Sequence, residues 1–78
     1  MPVIEITQSI DARGLSCPLP IVKTAQAMKT LRSGATVELI ATDHGSIKDV
    51  AAWCKATGNA LLEQTSDGAV YRFLIRRT

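Results

Sequence analysis

Apolar and polar residues alternate in four stretches of the chain, and this pattern predicts four β-strands. β-Branched residues at near-alternating positions predict a first strand over residues 3–10, and a more regular alternation predicts a second over residues 36–42. Near the end of the chain, strands are predicted over residues 60–65 and 69–76. The sequence Ser-Asp-Gly at 66–68 predicts a tight turn between them, so we expect the last two strands to form an antiparallel hairpin.

Two further stretches repeat their apolar residues at the spacing of an α-helix. The first covers residues 21–31 and is followed by Arg-Ser-Gly at 32–34, which predicts a basic last turn and a glycine stop. The second begins at Ser46, which forms a capping-box-like pair with Asp49, and ends at Gly58. The apolar face of this second helix comprises Ile47, Val50, Ala51 and Cys54.

The resulting order βαβαββ predicts a two-layer α/β sandwich of the α+β kind. Right-handed crossovers place both helices on one face of a four-stranded mixed sheet. We expect a single domain over residues 1–78. Both helices then begin at the same edge of the sheet, beyond the carboxyl ends of the first two strands, where open α/β sheets usually bind ligands.

Composition narrows the classes of function. Of the 78 residues, 46% are hydrophobic and 4% are aromatic, and the net charge is +2. This mild charge, with few rings for stacking bases, argues against direct nucleic-acid binding. We find neither a signal peptide nor an apolar run of membrane-spanning length, and therefore expect a cytoplasmic protein without membrane contact. The 2 cysteines and 1 histidine do not make a zinc site, and we expect no metal or cofactor.

The segment Asp-Ala-Arg-Gly-Leu-Ser-Cys-Pro-Leu-Pro, residues 11–20, has a cysteine at the predicted start of the first helix. A residue before proline prefers an extended backbone, as an N-cap residue does, so we expect Cys17 at the N-cap, Pro18 as the first helical residue and Pro20 as the third. The Leu19 amide is then the nearest donor to the sulfur. Because the helix dipole is positive at this end, it would lower the pKa of the thiol. We predict a rigid, exposed and partly ionised sulfur.

Other polar residues are expected near this cysteine. Arg13 and Asp11 flank the turn, either to stabilise an anion and dock a partner, or as a solvated arginine and a turn-stabilising aspartate. Asp43 and His44 follow the second strand at the same edge, Asp43 as a turn or cap residue and His44 as a titrating neighbour of the sulfur or a solvated side chain. Cys54 belongs to the apolar face of the second helix and is predicted to be core.

Seven residues of the segment match the signature Asp-x-Arg-Gly-Leu-x-Cys-Pro-x-Pro, and the chain thereby resembles the TusA/SirA-like sulfur carrier (sulfurtransferase) family. The matching residues are Asp11, Arg13, Gly14, Leu15, Cys17, Pro18 and Pro20. The "TDHGSIKDVAAWC" region and the closing "YRFLIR" strand are also similar to the family. Members that act in tRNA thiolation typically have Glu in place of Leu19 and Asp-Asp-Pro in place of Thr-Asp-His-Gly at 42–45.

The resemblance implies the βαβαββ sandwich and a persulfide on Cys17. Sulfur would come from a cysteine desulfurase or a rhodanese-type donor and pass to a downstream acceptor protein, in tRNA thiolation, cofactor synthesis or sulfur oxidation. We expect no independent enzymatic turnover from such a carrier. The residues expected to stabilise the anion or to dock partners are Arg13, Pro18, Leu19, Pro20, Asp11, Asp43 and His44.

Two other functions are compatible with the same segment. In a non-catalytic RNA- or protein-binding regulatory module, Cys-Pro-Leu-Pro would be only a helix N-cap, and Cys17→Ser would leave function intact because serine is an excellent N-cap. The same thiol would alternatively serve in selenium handling or redox sensing. The sequence has no Cys-x-x-Cys pair, so a thioredoxin-type dithiol cycle is not supported.

Overall fold

The computed structural model describes residues 5–78 and contains the predicted order of elements. The elements are β1 (Gln8–Ala12), α1 (Leu19–Met28), β2 (Thr36–Ala41), α2 (Ser46–Thr57), β3 (Ala60–Asp67) and β4 (Val70–Arg76). The strands form one sheet in the order β1-β2-β4-β3, with β1 and β2 parallel and the other neighbours antiparallel. The predicted four-stranded mixed sheet is therefore confirmed. No helix between residues 5 and 78 is long and apolar enough to cross a membrane.

The core lies between the sheet and the two helices. Alternate residues of the central strands are buried there, namely Val37, Leu39 and Ala41 of β2 and Phe73 and Ile75 of β4. α1 packs against β1 and β2, α2 packs against β3 and β4, and the helices contact each other, which places both on one face as predicted. The helices contribute Met28, Val50 and Cys54 to this core. The prediction that Cys54 is a core residue is confirmed, and its burial raises the pKa of its thiol.

The first strand begins later than its local pattern indicates. The prediction covered residues 3–10, of which residues 3 and 4 lie outside the described range. Parallel pairing with β2 decides the bounds, because the register runs from Gln8 opposite Val37 to Ala12 opposite Ala41. The strand therefore includes Ala12, which is buried and which the alternation did not assign to a strand.

The first helix ends earlier than predicted, at Met28. The expected basic last turn and glycine stop at 32–34 were wrong. The Thr30 amide donates to the Ala27 carbonyl at 3.2 Å, a tighter turn than the α-helical one, and this ends the helix. Gly34, with a φ of +88°, belongs instead to the turn that leads into β2.

The bounds of α2 match the prediction, whereas the final turn lies further along the chain. Gly58 has a φ of +79° and its amide donates to the Cys54 carbonyl at 2.9 Å, which ends the helix. In the hairpin, Asp67 pairs with Val70, so the loop is at 68–69 and not at 66–68. The positive φ of Gly68, +62°, is the conformation that this turn requires.

Candidate functional site

Cys17 lies in the loop between β1 and α1, at the sheet edge where α2 also begins. Two hydrogen bonds join this loop to the one between β2 and α2. The Gly14 amide donates to Thr42 Oγ1 at 2.9 Å, and the Cys17 amide donates to Asp43 Oδ2 at 2.9 Å. The backbone of the cysteine is therefore held by contacts with a distant part of the chain.

Gly45, the residue before α2, allows the two loops to approach closely. A Cβ atom at Gly45 would lie 3.2 Å from Asp43 Oδ2 and 3.6 Å from the Cβ of Cys17. The φ of Gly45 is −60°, which any residue can adopt, so the position requires a small side chain and not a special backbone conformation. Gly45 is a site residue that the sequence pattern did not reveal.

The start of α1 differs by one residue from the prediction. Pro18, with φ −99° and ψ 18°, is the N-cap, and Leu19 is the first helical residue. Cys17 is therefore not the N-cap, and Pro20 is the second helical residue, not the third. The Leu19 amide was predicted to be the nearest donor to the sulfur. It donates instead to the Ser16 carbonyl at 2.8 Å, within a turn. The peptide bond between Cys17 and Pro18 is cis.

The Cys17 side chain is exposed, as predicted, but the pKa of its thiol is raised and not lowered. Its thiol donates a hydrogen bond to the Asp49 carboxylate. This bond raises the pKa of Cys17, and some desolvation of the sulfur and the negative charges of Asp49 and Asp43 add to the effect. The predicted lowering of the pKa was wrong. A helix N-terminus carries roughly half a positive charge, which is less than the full negative charge of a carboxylate in contact with the sulfur.

Asp49 is a residue of this site that the sequence analysis did not include, because it was expected to cap α2. Its predicted capping-box role with Ser46 was wrong, since the N-cap of α2 is Gly45 and no side chain caps the helix. Ser46 Oγ is buried and has no hydrogen-bond partner within the described residues. Asp49 instead reaches Cys17. One signal was available: an acidic residue in the first turn of α2 lies at the sheet edge where the topology also places Cys17.

Arg13 and Asp11 pair with each other in front of the loop. Arg13 Nε lies 2.9 Å from Asp11 Oδ1, and both side chains are exposed. A second bond joins Arg13 Nη2 to Asp11 Oδ2 at 2.9 Å, and the Arg13 amide also donates to this carboxylate. These bonds lower the pKa of Asp11 to about 2. The guanidinium therefore neutralises Asp11, whereas the charged groups that act on Cys17 are Asp49 and Asp43.

His44 contacts the sheet through Tyr71. Its Nδ1 lies 3.1 Å from the Tyr71 hydroxyl oxygen, and the two rings meet edge to face with centroids 6.0 Å apart. The hydrogen-bond partner of His44 in this structure is thus a residue of β4. Its suggested action on the sulfur stays a prediction.

An apolar patch adjoins the cysteine on the first turn of α1. It consists of Leu19 and Val22, which are 48% and 41% exposed. Residues three apart lie on the same side of a helix, so these two side chains form one surface. We call Leu19 and Val22 the apolar patch.

A βαβαββ sandwich with an exposed thiol at two joined loops defines a small, thiol-bearing α/β domain. Residues 8–77 match the family model described as sulfurtransferase TusA, and the chain belongs to this family. YrkI of Bacillus subtilis, which bears the name of a candidate sulfur carrier protein, is 48% identical over 68 residues, covering 87% of this chain and 91% of that protein. The sulfur carrier protein TusA of Allochromatium vinosum is 42% identical over 74 residues, covering 95% and 97%.

A solved structure supports the fold independently. The crystal structure of a SirA-like protein from Desulfitobacterium hafniense is similar with a TM-score of 0.79 and 22% sequence identity. The similarity covers 90% of this chain and 96% of the other. The two-layer arrangement is therefore the fold of a known structure.

Proposed function

We propose that this protein is a sulfur carrier that receives sulfane sulfur as a persulfide on Cys17 and passes it to another protein. The observation that carries the proposal is the exposed Cys17 thiol in a chain of the TusA family. The backbone of Cys17 is fixed by the hydrogen bond from its amide to Asp43, where the two loops meet. The relatives named as sulfur carriers support it. A sulfur carrier of this kind has no turnover of its own.

Loading on Cys17 is a thiol–persulfide exchange that needs no oxidant. The Cys17 sulfur attacks the outer sulfur of a donor persulfide, the bond between the two donor sulfurs breaks, and a new bond joins Cys17 Sγ to the outer sulfur. The donor cysteine leaves as a thiolate and takes up the proton that the Cys17 thiol has lost. One thiol and one persulfide are present before and after. Delivery is the same exchange with an acceptor thiol as the attacking group.

The partners on either side of this exchange are proteins. The donor is a cysteine desulfurase or a rhodanese-type protein, and the acceptor belongs to tRNA thiolation, cofactor synthesis or sulfur oxidation. The apolar patch and the charged loop residues beside it form the docking surface, in a reducing cytoplasm that keeps the thiol available. The proposed docking residues besides the patch are Asp11, Arg13, Pro18, Asp43 and His44. Pro20, which was also expected to dock partners, is fully buried under the first turn of α1 and is not part of this surface.

A regulatory module in which Cys17 only caps a helix has no specific support. That reading required Cys17 at the N-cap of α1, and the N-cap is Pro18, with no side-chain capping bond. The thiol donates to a carboxylate of the other helix instead.

Mass spectrometry under non-reducing conditions tests the proposal. After incubation with a cysteine desulfurase and cysteine, or with a rhodanese-type donor, the protein should gain the mass of one sulfur atom, and a reductant should remove it. Cys17→Ser should gain nothing. Cys54→Ala is the matched control and should still be loaded, because Cys54 is buried in the core. Sulfur accepted by Cys17→Ser, or no loading of the unaltered protein by either donor, would show that the assignment is wrong.

A further inference from the structure

Two carboxylates converge on the one exposed thiol of the described chain. The Cys17 thiol donates to the Asp49 carboxylate, and the Cys17 amide donates to the Asp43 carboxylate at 2.9 Å. Asp49 comes from the first turn of α2 and Asp43 from the loop before it. A thiolate at Cys17 would add a third negative charge at this point. The hydrogen bond between the thiol and the Asp49 carboxylate would also be lost, because the proton that makes it would be gone.

The basic side chains near the loop are directed elsewhere. Arg13 pairs with Asp11, and Lys23 Nζ donates to the Asp11 carbonyl at 3.3 Å. His44 faces the Tyr71 hydroxyl. Over residues 5–78, the ion pairs of the chain are Arg13–Asp11 and Arg72–Glu38, so neither Asp43 nor Asp49 is neutralised by a basic partner there.

The helix termini do not offset these charges. Cys17 precedes the N-cap of α1, and Asp49 lies in the first turn of α2, so both are close to partial positive charge. Each terminus contributes roughly half an elementary charge, spread over several amides. A whole negative charge in hydrogen-bond contact with the sulfur outweighs that contribution.

We propose that Asp49 keeps Cys17 protonated in the unloaded protein. The sulfur then rests as a thiol with a fixed direction and not as a free thiolate. The distinction between unloaded and loaded protein rests on the proposed carrier function. The protonation of the thiol can be measured whether or not the protein is a carrier. Asp49 contacts the reacting atom, and its carboxylate acts on the sulfur directly. Because the thiolate is the form that reacts with electrophiles and oxidants, Asp49 protects the carrier between transfers.

The rate of iodoacetamide alkylation of Cys17 across pH 6–10 tests this role, in the Cys54→Ala background so that a single thiol reacts. In Asp49→Asn the whole rate profile should move to lower pH, and at pH 7 the rate should rise by more than about threefold, because a unit charge in contact with the sulfur has been removed. Asp49→Glu keeps the charge and should remain closer to the unaltered protein. Asp49→Ser is a second neutral variant, and circular dichroism checks that each variant is folded.

Asp67→Asn is the matched control for the change in net charge. Asp67 is an exposed residue next to the β3–β4 turn, and its replacement should leave the alkylation profile unchanged. Superimposable profiles for the unaltered protein and both neutral Asp49 variants would overturn the proposal, as would an equal shift in Asp67→Asn. If the profile moves as expected while Cys17 accepts no sulfur from any donor, the carrier function fails and the role of Asp49 stands.

Discussion

The backbone amide of Cys17 donates a 2.9 Å hydrogen bond to the carboxylate of Asp43, a residue 26 positions further along the chain. This bond holds the loop before α1 against the loop before α2. The location of the sulfur therefore depends on the packing of two βα units, and not on the Cys-Pro-Leu-Pro segment alone.

Removing the acceptor of this bond should loosen the site. Asp43→Ala leaves the Cys17 amide without its partner, and we expect a loss of about 1 kcal/mol in the free energy of unfolding. Urea denaturation measures it. Asp43→Asn keeps one side-chain carbonyl oxygen as an acceptor and should lose less. Equal stability of Asp43→Ala and the unaltered protein would contradict the role given to this bond.

The apolar patch should matter for partner binding and little for folding. In the double variant Leu19→Ala, Val22→Ala, we expect the donor concentration for half-maximal loading of Cys17 to rise roughly tenfold, the equivalent of about 1.4 kcal/mol of lost burial. Steady-state loading kinetics measure this value. Ile6→Ala is the control, because Ile6 is 39% exposed and lies at the opposite end of β1 from Cys17. A similar rise in Ile6→Ala would argue against docking at the patch.

The pairing of Arg13 with Asp11 should persist in acid. Arg13 lowers the pKa of Asp11 from its ordinary value of 3.8 to about 2. Since the pKa is lower in the folded state, the pair stabilises the fold above the unfolded pKa, and this contribution is lost as the pH falls through about 2. Titration of the Asp11 carboxyl carbon by NMR measures the midpoint, which Arg13→Gln should return toward 3.8. An ordinary midpoint in the unaltered protein would rule out the pair in solution.

The glycine that ends α2 should be required for its backbone conformation. Gly58 has a φ of +79°, and a Cβ there would meet only Thr78 Oγ1 at an ordinary 3.8 Å, so any cost of Gly58→Ala comes from the left-handed backbone. We expect a loss of about 1 kcal/mol by thermal or urea unfolding. Gly58→Asn should lose less, because asparagine tolerates this conformation better. A neutral Gly58→Ala would show that the backbone relaxes at this point.

Local patterns were sufficient to predict most of the architecture. The alternation in β2 and β4 corresponds to side chains that point alternately into the core, as at Leu39 and Phe73. The apolar spacing in α2 placed Cys54 in the core correctly. Such patterns are reliable because burial of one face imposes a period on the residues of each element. The ends of β1 and α1 were predicted less well, since the register of β1 depends on its pairing with β2, and α1 ends in a tighter turn that the apolar spacing does not reveal.

The sequence by itself determined the order of strands and helices, the antiparallel final hairpin and the position of an exposed Cys17 before the first helix. These features follow from the period of burial and from turn residues that are close in the chain. Only the tertiary structure decided that Asp49, 32 positions away, accepts the hydrogen bond of the thiol, and that the pKa of Cys17 is raised and not lowered. The physical reason is that a pKa responds to every charge near the group in space, and the packing of α1 beside α2 brings those charges together.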